Sequence, residues 1–278
     1  MTLRGSIGGY FRIVPVRFQD GLRLYAAYAT SALLKVFAAR RFKSVGMLTV
    51  GRRNLIVRVD GVQYQVRPGT NDLDLISPKH EPITTEWFDV GEDDIVVDIG
   101  AHIGRYTLRA ASKASKVIAV EPDPSNFRLL ESNVALNGLS NVVLVSKAMS
   151  SRAGPRLLRR AGRSNTGMST LLPDSSGREA SSEDIIVDGE TLDHLVGAHA
   201  LSRIDWLKID VEGHEVAVLE GAPAALRVTQ KMVLEVTDLT REACKRIVET
   251  AGFNLDNIEP GSPASNWLLV KRGSKSIP

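Results

Sequence analysis

The residues best placed to do chemistry stand in the stretch VVDIGAHIGRYTL, residues 96–108. An apolar run ends in Asp98, and Gly100 and Gly104 follow in an Asp-x-Gly-x-x-x-Gly pattern that opens a helix-forming segment. Glycine lets the chain turn tightly and lets another group come close to its backbone. Glu121 stands 23 residues after Asp98, at the end of the next apolar run. A carboxylate there can accept two hydrogen bonds from a ribose diol. An adenosine-containing cofactor is implied.

Charge selects which cofactor. A dinucleotide places its pyrophosphate at a helix N-terminus. The dinucleotide pattern G-x-G-x-x-G is absent, because position 102 is His, and Asp98 would repel a pyrophosphate. S-adenosylmethionine has no phosphate and carries an ammonium and a sulfonium, so a carboxylate beside the loop suits its methionine end. Two competing classes are a nicotinamide-dependent oxidoreductase on a Rossmann fold and a non-catalytic nucleoside-binding protein. The glycine pattern argues against the first; the intact Asp98, Gly100, Gly104 and Glu121 argue against the second.

A second constellation is IDWLKIDVEGHEVAVLEGA, residues 204–222. Its strand ends at Asp210, and Glu212, His214 and Glu215 follow. In open α/β sheets the ligand crevice lies outside the carboxyl ends of the strands, where Asp98, Glu121 and Asp210 should all point. Asp210 is the first candidate for a general base and His214 the second, its ordinary pKa being close to neutrality. A capping role for His214 carries equal weight. Glu212 and Glu215 also suit a helix first turn, and Lys208, mid-strand, suits an ion pair with a carboxylate. His102 reads as a packing residue behind the cofactor. Asp210, Glu212 and Glu235 could converge on a divalent metal, which oxygen ligands suit; the reading without a metal is preferred.

These residues need a frame. Short apolar runs at Ile95–Asp98, Val117–Val120, Val142–Val145, Ile204–Ile209 and Met232–Val236 read as buried strands. Helical stretches at Gly104–Ala114, Pro124–Asn137, Glu215–Leu219 and Arg241–Thr250 alternate with them. Strands alternating with helices predict an α/β fold: a doubly wound, mostly parallel sheet. Ahead of it, LIVRV, Asp60–Gly61 and VQYQV predict a β-hairpin. Residues 150–185, rich in Ser, Gly and Arg, read as a surface insertion that could cover the crevice. The expected organisation is a basic helical segment over 1–45, a lead-in hairpin and connector over 46–90, and the cofactor-binding domain over 91–278.

Composition agrees. The chain has 278 residues, 43% hydrophobic and 24% charged, which excludes a disordered chain or a disulfide scaffold. Its single cysteine, Cys244, fits a reducing compartment and hence a cytoplasmic location, and reads as an ordinary buried thiol. Residues 1–60 hold eleven Lys/Arg against Asp20 and Asp60, while the remainder holds 24 basic and 30 acidic groups. The basic excess therefore belongs to the N-terminal segment, and no nucleic-acid partner follows from it. Residues 22–39 suit a helix, but their longest uncharged run, Leu24–Leu34, is eleven residues, against about 20 for a membrane span. The first reading is a helix packed on the main domain with a solvated basic face. The second is an interfacial helix over residues 1–45 in peripheral contact with anionic headgroups.

Several blocks in order resemble the FkbM-family methyltransferases, class I enzymes with a Rossmann-like fold that use S-adenosylmethionine. They are VVDIGAHIGRYTL, VIAVEPDPSNFRLLESNVALNG (117–138), SNTGMSTL (164–171), TLDHL (191–195), LKIDVEGHEVAVLEGA (207–222) and VLEV (233–236), preceded by VRPGTNDLDLI (66–76). His102 departs from the Asn often found there. The resemblance implies that Asp98, Gly100, Ala101 and Gly104 line the methionine end and Glu121 the ribose. Pro122, Asp123 and the segment Ser146–Ala148 would lie near the adenine, and Asp210 would face the acceptor. The implied reaction is in-line methyl transfer to a hydroxyl of a sugar, glycolipid or natural product.

Overall fold

The structure, a computed structural model, describes residues 12–37, 45–160, 162, 165–171, 184–261 and 264–273. Its centre is a seven-stranded sheet of β4 (Ile95–Ile99), β5 (Lys116–Val120), β6 (Val142–Val145), β10 (Ile204–Ile209), β11 (Thr229–Thr237), β12 (Phe253–Glu259) and β13 (Ala264–Lys271). The spatial order is β12-β13-β11-β10-β4-β5-β6. All neighbours are parallel except at β13, which runs antiparallel to both β11 and β12. The chain winds outward from β4 through β5 to β6, then returns to β10 on the other side of β4. The strand order therefore reverses between β4 and β10, which opens a crevice at their carboxyl ends.

The apolar runs of β4, β5 and β10 are buried on both faces, as helix-covered parallel strands must be. Helices α4 (Arg105–Ala111) and α5 (Pro124–Leu136) follow β4 and β5. Helices α7 (Glu215–Glu220), α8 (Pro223–Val228) and α9 (Arg241–Thr250) follow β10 and β11. One large core joins β4, β5, β10 and β11 to α6 (Leu192–Ala198), α7, α8 and α9. Cys244 of α9 is fully buried there, and burial pushes its thiol up to about 12.

The expected hairpin is present as β2 (Leu55–Val59) and β3 (Val62–Val66), with Asp60 and Gly61 both at positive φ in the turn. A short β1 (Ile13–Pro15), not foreseen, pairs antiparallel with β2. This sheet packs on the α4–α5 side of the domain. Asn133 of α5 and Asn137, the residue that caps its C-terminal end, hold the free edge of β3: each accepts from one backbone N–H and donates to one carbonyl of Gln65 and Gln63 respectively.

Helix α1 (Phe18–Phe37) packs against the same sheet through Leu24 and Ala27. Among its described side chains, Phe18, Leu22, Tyr25 and Ala29 are exposed on the outward side; the Lys35 side chain and residues 38–44, where the expected basic face continues, lie outside the described residues. The segment 150–185 is not wholly a loop. Strands β7 (Ala148–Met149), β8 (Gly154–Leu158) and β9 (Ile185–Glu190) form a small sheet ordered β7-β9-β8. Residues 161, 163, 164 and 172–183 of that segment lie outside the described residues. Strands β12 and β13 were also not foreseen, and β11 begins three residues before the expected run.

Candidate active site

A cavity of about 470 Å³ opens at the β4/β10 crevice. It brings together Asp98, Gly100, Ala101, Glu121, Pro122, Ala148 and Asp210 from the expected set. Gly104, Asp123 and His214 are not in its lining.

Asp98 is the next-to-last residue of β4 and is 1% exposed. Its Oδ2 accepts from Thr107 Oγ1 at 2.6 Å, while Oδ1 is buried without a hydrogen-bond partner. Burial raises the Asp98 pKa, opposed by the charge of Lys208. A buried orphan oxygen beside a cavity is an acceptor waiting for a donor. It matches the ammonium of an amino-acid cofactor, not a phosphate.

Gly100 has φ +82, but its nearest neighbour is not the cavity. A Cβ there would stand 1.8 Å from the Asp210 carbonyl oxygen. The glycine is required by the close approach of the β10 loop, which brings Asp210 beside the β4 loop. Gly104 (φ +98) begins α4, where a Cβ would meet Leu130 at 2.8 Å. It serves packing beneath the loop.

Glu121 ends β5. Its Oε2 accepts from the His102 N–H at 2.9 Å and its Oε1 from the Asp123 N–H at 2.9 Å. Burial pushes its pKa up to about 7 against these two bonds. The spare lone pairs of the two oxygens suit a diol. Asp123 faces elsewhere: it caps α5 by accepting from the Ser125 and Asn126 N–H groups, and Arg160 pairs with it at 2.7 Å. His102, at φ +51, sits behind the loop with Thr166 Oγ1 at 3.1 Å, and burial lowers its pKa to about 4.

Across the cavity stand Glu81, Asp210, Glu212 and Glu235, together with Asn266. Lys208, 3% exposed, is their internal counter-ion. Its Nζ donates to Asp210 Oδ2 at 2.8 Å and lies 4.7 Å from the Tyr106 ring centre. Burial alone would lower the Lys208 pKa; the charges of Asp210, Asp98 and Glu81 reverse that and raise it. Glu81 accepts from Tyr106 Oη at 2.8 Å and Asn266 Nδ2 at 3.1 Å. Burial works to raise its pKa, but the charges of His80, Lys208 and Arg105 bring it down to about 2. Glu235 is pushed upward by burial and by neighbouring carboxylates, and its Oε2 is buried without a partner.

Among the described residues, the carboxylates that bring oxygens within 4.8 Å of one another are Glu81, Asp210 and Glu235. Glu81, not Glu212, completes the set that could hold a hard cation. The Lys208 ammonium already stands beside Asp210.

Glu81 was missed because it lies in an unpatterned connector. Its φ of +46 would have marked it, but only a structure reports φ. Of the five non-glycine residues at positive φ among the described residues, Glu81, His102 and Glu212 all line the cavity. Arg105, buried in α4, holds the Glu81 loop. Its guanidinium donates to Ser77 O and Thr85 Oγ1, each at 2.9 Å, and to the carbonyls of Leu75 and His80. From the insertion, Asn165, Gly167, Met168 and Ser169 line the cavity. Thr166 holds that strap through Asn71 Oδ1 and Asp72 Oδ1, at 3.0 and 2.8 Å. His214 lies apart: its Nε2 is 3.1 Å from Ser150 Oγ, and burial and Arg156 lower its pKa to about 4.

The fold is a Rossmann-like, doubly wound and mostly parallel α/β sheet with its crevice at the topological switch point. Residues 98–255, more than half of the chain, match the family model described as the methyltransferase FkbM domain. The chain belongs to the FkbM methyltransferase family, as the motif blocks implied. Among curated relatives it is 28% identical over 209 residues to methyltransferase sdnD of Sordaria araneosa, covering 63% of this chain and 80% of that one. It is 27% identical over 146 residues to hexuronic acid methyltransferase AglP of Haloferax volcanii, covering 52% of this chain and 56% of that one. A solved FkbM methyltransferase from Methylobacillus flagellatus is 16% identical with a TM-score of 0.45, over 65% of this chain and 44% of that one.

Proposed function

We propose that this methyltransferase transfers the methyl group of S-adenosylmethionine to a hydroxyl oxygen of a sugar, glycolipid or natural-product acceptor. The observation that carries the cofactor is the orphaned Oδ1 of Asp98, buried at the cavity wall with Glu121 at the end of the adjacent strand. Asp98, with the backbone of Gly100 and Ala101, would hold the methionine end. Glu121 would take the ribose hydroxyls, and Pro122 and Ala148 would flank the adenine. The cofactor supplies an electrophilic methyl on a sulfonium.

The acceptor side is the chain's own chemistry. Asp210 Oδ2 is fixed by Lys208, and Oδ1 has no hydrogen-bond partner among the described residues. Oδ1 would accept the acceptor hydroxyl's proton as the oxygen bonds to the methyl carbon and the carbon–sulfur bond breaks toward sulfur. Glu81 and Asn266 would orient the other hydroxyls of a polyol. Holding the attacking oxygen in line at about 3–3.5 Å is the larger part of such catalysis. The name of AglP supports a sugar acceptor. His214 has no part in this mechanism, because Ser150 holds it outside the cavity.

The test is calorimetric titration with S-adenosylmethionine, with NAD as control. S-adenosylmethionine should bind alone, and Asp98→Ala should abolish the binding; binding unchanged by Asp98→Ala would overturn the assignment. Asp210→Asn should leave cofactor affinity in place and cut turnover by about 10²–10⁴-fold. Undiminished turnover would remove Asp210 as the base.

A further inference from the structure

The N-terminal layer carries a surface the methyl-transfer site does not use. Helix α1 has a buried face and an outward apolar stripe. Asp20, Leu24, Ala27 and Ser31 recur at helical spacing and are buried on the small sheet. Phe18, Leu22, Tyr25 and Ala29 recur at the same spacing on the opposite side and are exposed, Phe18 at 82%, Leu22 at 61% and Tyr25 at 58%. A helix laid on a soluble domain ordinarily turns polar and charged residues outward. Here the outward stripe carries no charge, and it has exposed apolar neighbours in the same layer: Val14 at 52% and Val50 at 71%.

Arginines accompany the stripe. Arg17, Arg52 and Arg53 line one surface hollow with Asn54, Ile56 and Gln65. Arg17 directly precedes Phe18, and Arg52 follows Val50 by two residues. Arg52 and Arg53 are exposed, and neither has an ion-pair partner among the described residues. The acidic residues of this region cannot neutralise them. Asp20 is buried between Arg17 and Arg23 and accepts from the Ile56 N–H; Asp60 is engaged by Arg12 and Arg109. With six described arginines, Arg12, Arg17, Arg23, Arg52, Arg53 and Arg58, against these two acids, the layer is apolar at its outward stripe and carries a net positive charge beside it.

We infer that this layer is a docking face for an anionic lipid surface: Phe18, Leu22 and Tyr25 enter the headgroup–acyl boundary, and Arg52 and Arg53 meet phosphate headgroups. Charge complementarity selects this occupant. An apolar stripe alone would suit a second copy of the chain, but two copies would bring the same arginines together and repel. An anionic bilayer offers both apolar depth and negative charge. No described helix is long and apolar enough to cross a membrane, so the contact is peripheral.

The experiment is co-sedimentation of the full chain with vesicles of phosphatidylcholine alone and of phosphatidylcholine with phosphatidylglycerol. The chain should sediment with the anionic vesicles only, and added salt should release it, since exposed charges are screened. Phe18→Ser, Leu22→Ser and Tyr25→Ser combined should abolish sedimentation. Arg52→Gln with Arg53→Gln should weaken it by about fivefold per arginine. Circular dichroism and cofactor titration should be unchanged in both variants, because none of these residues lines the cavity; that separates a failure of this surface from a failure of the catalytic reading. No sedimentation with anionic vesicles, or sedimentation indifferent to both variants, overturns the inference. So does light scattering that shows a dimer which the triple variant dissociates, assigning the face to a second copy.

Discussion

Replacing Gly100 by alanine tests how the site is built. At φ +82 an alanine is strained by about 1–2 kcal/mol. Its Cβ would lie 1.8 Å from the Asp210 carbonyl oxygen, so reaching an ordinary contact of about 3.4 Å needs the two loops to part by roughly 1.6 Å. Overpacking of that kind costs about 1–3 kcal/mol more. The total is roughly 2–5 kcal/mol. Gly138 supplies the control: its φ is +63, but a Cβ there meets nothing within 4 Å. Gly138→Ala should cost only the backbone term. The functional consequence differs more sharply. Parting the loops moves Asp210 away from the cofactor loop, and a misplacement of about 1 Å can cost roughly 10²-fold in rate. Urea denaturation, cofactor titration and turnover on both variants decide the matter. Gly100→Ala should lose stability and turnover together, and Gly138→Ala a little stability alone. Equal stability in the two variants, with Gly100→Ala retaining wild-type turnover, would refute the claim that this glycine sets the spacing of the two loops.

Two further outcomes follow from buried charge. Glu121, pushed up to about 7 by burial, is largely protonated in the free protein below neutrality, yet it accepts diol hydrogens best as a carboxylate. Cofactor binding should therefore release a proton near neutral pH, and affinity should fall toward tenfold per pH unit below about pH 7. Calorimetry in buffers of differing ionisation enthalpy reads the proton, and Glu121→Gln should remove the slope; an affinity flat down to about pH 5 would count against it. Lys208→Met strips the counter-ion from Asp210, Asp98 and Glu81 and should cost about 3–5 kcal/mol in chemical denaturation at neutral pH. Its deficit should shrink in acid, where Asp98, its pKa already raised by burial, takes up a proton. A loss under about 1 kcal/mol would mean that Lys208 does not hold these carboxylates together.

Much of the frame was legible in the chain. The apolar runs ending in Asp98, Glu121 and Asp210 could only be buried parallel strands, and a strand's carboxyl end fixes where its last polar residue points. Asp60–Gly61 specified the hairpin because few other dipeptides take two positive φ values in succession. Roles among neighbours were less legible. Asp123 and Glu121 are two residues apart, yet one caps α5 and pairs with Arg160 while the other faces the cavity. His214 stands four residues after Asp210, but the turn after β10 carries it to Ser150.

The tertiary structure alone decided the far wall. Glu81 reaches the site from a connector with no periodic pattern, because Arg105 in α4 gathers the carbonyls of Leu75, Ser77 and His80 before it and the Thr85 hydroxyl after it. Asn266 arrives on an antiparallel strand near the C-terminus and donates to Glu81 across 185 positions. Lys208 becomes the counter-ion of three carboxylates from three separate segments. Sequence sets what each segment can do locally, through propensity, pattern and the chemistry of its side chains. Which segments face one another across the crevice depends on long-range packing, since no local signal encodes a partner nearly two hundred residues away.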